Sequence, residues 1–115
     1  MHELSIALSL LDLATEEAER RGNARIVAIH LRLGPLAGVV KNALCSAFEL
    51  AREGTTLAHV KLIIEDVALL AYCPRCEAEC APCSLQDLSC PTCHSPTPDL
   101  RHGRELEVRA LEIET

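Results

Sequence analysis

Aromatic residues are almost missing from this chain. Phe48 and Tyr72 are the only two, 2% of 115 residues. A core must therefore be built from Ala, Leu, Ile and Val, which is feasible because hydrophobic residues make up 49%. Positive charge is also short: 11 Lys and Arg face 17 Asp and Glu, for a net charge of -6. That balance counts against nucleic acid as a partner, since a phosphate backbone selects a basic face. No apolar run approaches the roughly 20 residues of a membrane span, so no membrane association is expected. A secretory leader is not read either. Asp12, Glu16 and Glu17 closely follow the first leucines, and no basic stretch precedes them. The chain reads as cytoplasmic.

What the chain does have is cysteine. There are seven, and six of them lie between positions 73 and 93. In a reducing compartment, cysteines packed this tightly are better explained as metal ligands than as disulfides. The length fits one compact domain, or one domain carrying a small stapled insert.

Periodicity supplies the elements. Residues 3–21 read as a helix with Leu4, Ala7, Leu8, Leu11 and Ala18 on its stripe, and Leu10 and Leu13 widening it. Glu3 and Arg20 suit the two ends of the helix dipole, and Gly22 can close it in a left-handed conformation. Ala24 to Gly34 reads as a strand, with Val27, Ile29, Leu31 and Leu33 toward the core. Lys41 to Arg52 reads as a second helix burying Ala43, Leu44, Ala47, Phe48 and Ala51. A strand follows at 59–67. The last strand spans 104–113, with Leu106, Val108 and Ala110 inward before the pattern switches to Leu111 and Ile113, as a bulge or twist would require. The fold class is α+β: a small mixed domain of two helices on a three-stranded sheet. Its expected extent is residues 1–70 and 104–115, with residues 71–103 inserted.

The insert holds six cysteines and five of the six prolines but few large apolar residues. Such a segment needs a staple or a metal to fold. It contains three Cys-x-x-Cys pairs, Cys73/Cys76, Cys80/Cys83 and Cys90/Cys93. The two-residue gap lets both sulfurs of a knuckle reach one ion, and a four-thiolate cage suits Zn(II). Cys73, Cys76, Cys90 and Cys93 form the favoured zinc set, because the thirteen residues between their knuckles allow a two-stranded turn. A cage of Cys73, Cys76, Cys80 and Cys83 ranks second, since three residues between its knuckles are tight. The spare pair reads first as ordinary small residues of the hairpin. Free thiols, a reversible disulfide or ligands of a second ion are the alternatives. A closed four-thiolate site is structural and does not reveal function. His94 and His102 flank it and read first as solvated loop residues, the alternative being that either one replaces a thiolate in some states.

The N-terminal stretch MHELS offers a different site. The Met1 amine, the His2 amide nitrogen and the His2 imidazole can chelate one ion through fused rings, with Glu3 reaching a further position. Nitrogen-rich, near-planar chelation suits Ni(II) or Cu(II). A shallow site of this kind suits delivery better than catalysis. Bland readings are preferred elsewhere: His30 as a half-exposed sheet residue, His59 as solvated, Cys45 as a small core filler, and Glu105, Glu107 and Glu112 as a solvated face.

The MHE start, the helix–strand–helix–strand order, GPLAGVVKNALCSAFE, the CPRC…CPTCHS ribbon and the closing GRELEVRALEIE together resemble the hydrogenase-maturation nickel metallochaperones of the HypA/HybF type. The resemblance covers essentially the whole chain. It implies nickel binding by Met1, His2 and Glu3 and zinc binding by Cys73, Cys76, Cys90 and Cys93. It also implies delivery of nickel, with an accessory GTPase, to the large subunit of [NiFe]-hydrogenase, some relatives also serving urease, and no catalytic activity. Four positions depart from the family pattern. Cys80 and Cys83 are extra, Val40 stands where relatives often carry an acid, and His94 replaces the glycine usual after the second knuckle. Two other readings are weighed. A zinc-ribbon module contacting nucleic acid or transcription machinery is opposed by the acidic balance. A zinc hydrolase lacks His-Glu-x-x-His and an open coordination position.

Overall fold

The computed structural model describes residues 2–114. Two helices, α1 (Glu3–Arg20) and α2 (Lys41–Arg52), alternate with strands β1 (Ile26–Leu33) and β2 (Lys61–Asp66). Then come β3 (Leu70–Cys73), β4 (Ala78–Cys80), β5 (Asp99–His102) and β6 (Leu106–Ile113). They form two three-stranded sheets, ordered β2-β1-β6 and β4-β3-β5. The α+β class is therefore as expected, with two helices beside the first sheet and the cysteine segment between β3 and β5.

The chain divides into two compact units. One comprises Met1–Leu31, Val39–Glu65 and Glu107–Thr115; the other comprises Arg32–Gly38 and Asp66–Leu106. The second is longer than residues 71–103 because backbone bonds tie the loop after β1 to it. Gly34 N–H donates to Glu105 O at 2.8 Å, Leu36 N–H to Gly103 O at 2.7 Å, and Val67 N–H to Leu33 O at 2.9 Å. Gly34 is required there, since a Cβ would lie 2.3 Å from the Gly103 carbonyl carbon and oxygen.

In the first unit, α1 has Glu3 in its first turn and Arg20 in its last. It stops where Gly22 and Asn23 take φ of 69° and 63°, and Ala24 N–H reaches back to Ala18 O at 3.1 Å. Its buried stripe corrects the sequence reading. Ala7, Leu10, Leu11 and Ala14 are buried, whereas Leu4 and Leu8 are each 48% exposed and Leu13 is also exposed. α1 is apolar over more than half its girth, so several stripes fit its periodicity, and the position of α2 selects one. α2 has the expected bounds and buries Leu44 and Phe48, but Ala43 faces solvent. β1 is covered on both sides near its start, because Ile26 and Ala28 are buried along with Ile29, Leu31 and Leu33. On β6 the residues packed against the core are Val108, Leu111 and Ile113, while Leu106 and Ala110 are exposed.

Phe48 is the one aromatic side chain of this core and is only 1% exposed. Phe48→Ala should lower stability by about 3–5 kcal/mol in urea unfolding. On the same helix, Leu50 is 63% exposed, and Leu50→Ala should change stability by about 0.5 kcal/mol or less. Equal effects at the two positions would contradict this packing.

Candidate metal centres

The cysteine segment is organised by backbone turns. β3 runs into Cys73, and the chain turns so that Cys76 N–H points at Cys73 Sγ, 3.4 Å away. Glu77, with φ of 52°, then sends the chain back as β4, antiparallel to β3. The second knuckle repeats the device. His94 takes φ of 61° and donates its N–H to Cys90 O at 2.9 Å. This is the left-handed conformation that glycine adopts freely and other residues adopt at a cost, so His94 holds a backbone conformation that suits glycine. Cys90 N–H donates to Ser95 O at 2.9 Å, and the buried Thr97 hydroxyl bonds Leu88 O.

The expected two-stranded turn between the knuckles does not form. β4 pairs with β3, and the rest is a turn held by side chains. The Ser84 hydroxyl accepts the N–H groups of Gln86 and Asp87. Asp87 accepts both the N–H and the hydroxyl of Ser89, which lower its pKa.

The result is a cluster of four sulfurs. Those of Cys73, Cys76, Cys90 and Cys93 all lie within 4.8 Å of one another. Cys73 and Cys93 are 3.5 Å apart, and Cys76 and Cys90 are 4.0 Å apart. Zinc–thiolate bonds of about 2.3 Å arranged as a tetrahedron put sulfurs about 3.8 Å apart, so the spacing fits. Cys73 and Cys90 are buried, Cys93 is half-buried and Cys76 is exposed.

Local donors prepare the thiolates. The Ser95 hydroxyl and N–H draw Cys93 down to about 6. The N–H groups of Cys93 and Thr92 lower Cys90. Side-chain hydrogen bonds to Cys93 and Cys73 hold the proton on Cys76, pushing it up to about 12. Four sulfurs this close cannot all carry charge without a cation, and a soft divalent ion is what the donor set can hold.

The other expected site begins at the edge of the described residues. Met1 lies outside them. His2 caps α1 with no side-chain cap hydrogen bond, is exposed, and accepts Ile6 N–H at its carbonyl, 3.2 Å. Glu3 Oε2 lies 3.4 Å from the N–H of Val40, which caps α2. The starts of both helices therefore meet at the Glu3 carboxylate, where unpaired N–H groups favour an anion. Val40 supplies a backbone donor here and no carboxylate.

Several bland readings need adjusting. His30 is the half-exposed sheet residue expected, with Nε2 3.2 Å from Glu112 Oε1, so it is Glu112 that is not purely solvated. Nε2 of the exposed His59 lies 3.1 Å from Ile26 O. His102 is paired: its Nδ1 is 2.7 Å from Glu105 Oε2, and the other Glu105 oxygen accepts Gly103 N–H at 2.7 Å. Among the described residues, no helix is long and apolar enough to cross a membrane.

Comparison with known proteins gives a single answer. A family model described as hydrogenase/urease nickel incorporation, metallochaperone, hypA matches residues 1–113. The hydrogenase maturation factor HypA of Chloroflexus aurantiacus is 48% identical over 112 residues, spanning 97% of this chain and 98% of that protein. A solution structure of the Ni metallochaperone HypA from Helicobacter pylori superposes with a TM-score of 0.65 at 29% identity, covering 98% of this chain and 97% of that one. A second solution structure of a HypA protein gives a TM-score of 0.72 at 29% identity, covering 99% and 97%.

The Glu105 carboxylate is held near 2, below its ordinary 4.5, first by His102 and then by the Gly103 N–H. A depressed carboxylate stabilises the fold above its unfolded pKa, and that contribution disappears as pH falls through its folded pKa. Glu105→Gln should therefore be less stable than wild type near neutral pH. The gap in urea midpoint should close as pH falls from 4.5 toward about 2. A gap that stays constant over that window would contradict the assignment.

Proposed function

The chain belongs to the HypA family of nickel-incorporation metallochaperones for hydrogenase maturation, and from that premise we propose that it carries Ni(II) at its N-terminal segment and Zn(II) in its four-cysteine cluster. The carrying observation is the family match over residues 1–113, which takes in both places.

For nickel, the proposed ligands are the Met1 amine, His2 and Glu3. The amine, the His2 amide nitrogen and the imidazole form adjacent chelate rings, a nitrogen-rich set that suits Ni(II). His2 is exposed at the start of α1, open to an incoming or departing ion. Glu3, whose carboxylate accepts the Val40 N–H, follows His2 directly in the chain. A ligand set that must lose an amide proton binds more weakly as pH falls. Release would follow from protonation or from capture by a stronger site, so the protein's task is carriage and not catalysis.

For zinc, the proposed ligands are Cys73, Cys76, Cys90 and Cys93. When bound, the ion supplies a structural cross-link between the two knuckles. The N–H groups of Thr92 and Cys93, with the Ser95 hydroxyl, favour the thiolate form of Cys90 and Cys93 toward it. Residues 1–70 with 104–115 would then be the nickel-binding part, and 71–103 the zinc ribbon.

The recipients proposed are an accessory GTPase and the hydrogenase large subunit, with urease maturation factors as further clients. The seven cysteines are all unpaired, in keeping with work in a reducing cytoplasm.

Calorimetry on zinc-loaded protein should show one bound Ni(II). His2→Ala and a chain with one residue added before Met1 should both lose it, and equal binding by all three would remove the N-terminal assignment. Separately, a strong chelator should release one Zn(II) and speed amide exchange across 66–106. Cys73→Ser/Cys76→Ser, which removes a whole knuckle, should hold none. A double variant that retains stoichiometric zinc would sink the cluster assignment.

A further inference from the structure

Neither proposed site uses Cys80 or Cys83, and the structure places these two differently. The β3–β4 register pairs Ala71 with Cys80 and Cys73 with Ala78. Paired residues in a ladder project from the same face, and so do residues two apart on one strand. Cys80 and Cys73 are therefore diagonal neighbours on one face of the sheet. The residue directly opposite Cys80 is Ala71, whose side chain is a single methyl group, fully buried. Cys80 is also near enough to Cys90 for the two thiols to interact. The turn after it is tied alongside, since Cys83 N–H donates to Ser89 O at 3.4 Å and Ser89 immediately precedes Cys90. Cys80 is half-buried, whereas Cys83 is exposed. One extra thiol thus faces the sulfur cluster and the other faces water.

We propose that Cys80 is a reserve metal ligand, a fifth thiol that takes the place of Cys90 on the ion. This rests on reading the four-cysteine cluster as a zinc site. In the exchange the Cys80 sulfur forms the new metal–sulfur bond and gives its proton to the departing Cys90 sulfur. Thiolate count, charge and oxidation state are unchanged, and no co-reactant is needed. The gain is a site that can rearrange without releasing its ion. Cys83 has no part in the exchange.

The test uses the full chain titrated with Co(II), whose charge-transfer absorption reports how many thiolates bind. Wild type, Cys80→Ser, Cys83→Ser and Cys90→Ser should all show the four-thiolate spectrum. Cys80→Ser/Cys90→Ser should show three thiolates and bind on the order of a hundredfold more weakly. A second measurement uses the zinc-loaded proteins and iodoacetamide, with mass mapping of the modified peptides. Cys80 should be alkylated in wild type and protected in Cys90→Ser. A Cys90→Ser chain that matches the double variant, or whose Cys80 is alkylated as fast as in wild type with zinc bound, overturns the reserve-ligand proposal and leaves the zinc site standing. A wild-type chain that forms no tetrahedral thiolate complex with Co(II) overturns both.

Discussion

From Asp66 to Leu106 no leucine, isoleucine, valine or phenylalanine is buried. The buried residues are Ala71, Cys73, Cys90, Thr97 and Gly103. Ordering a residue costs roughly 1–2 kcal/mol of backbone entropy, and this stretch has too little apolar surface to offset it. Everything distinctive about the second unit follows from that shortage. Cysteines occupy the positions that side chains such as Leu would fill in an ordinary core. Ser84, Asp87, Ser89 and Thr97 bond to backbone or to one another. Gly34 and Gly103 pack backbone to backbone where no side chain fits.

The first unit is the opposite case. Its core is a continuous aliphatic cluster around Phe48, from α1, α2, β1 and Leu57 and Val60 ahead of β2, with partly buried residues of β2 and β6 packed against it, and it needs no cross-link to hold together. A scaffold of that kind can present His2 and Glu3 at an exposed helix start. In the proposed function, an all-sulfur centre with two buried ligands retains its ion, and an open, nitrogen-rich one gives its ion up. The difference in burial between Cys73 or Cys90 and His2 is the physical basis of that contrast.

Much of the fold was legible before any coordinates. α2 has the bounds read from its apolar stripe, Lys41–Arg52, because Leu44 and Phe48 stand out against polar neighbours. α1 was located but not oriented. Its leucines lie all around the helix, and only the packing of α2 decides that Leu10 is buried and Leu8 is not. Alternation along β1 marks Val27, Ile29, Leu31 and Leu33 as inward, yet Ile26 and Ala28 are as buried as Ile29. Alternation cannot show that a second face is also covered.

For the metal centres the division is similar. Residue chemistry and spacing alone singled out Cys73, Cys76, Cys90 and Cys93, because Cys-x-x-Cys is a local geometric requirement of one ion. They also singled out His2 and Glu3 as a candidate chelate. They could not rank Cys80 against Cys83, since both sit at the same spacing. The β3–β4 register and the tie from Cys83 to Ser89 make that distinction. Nor could sequence show Glu3 beside the N–H of Val40, or Gly34 against Gly103. Those contacts join residues far apart in the chain, and long-range approach is set by packing and not by local pattern.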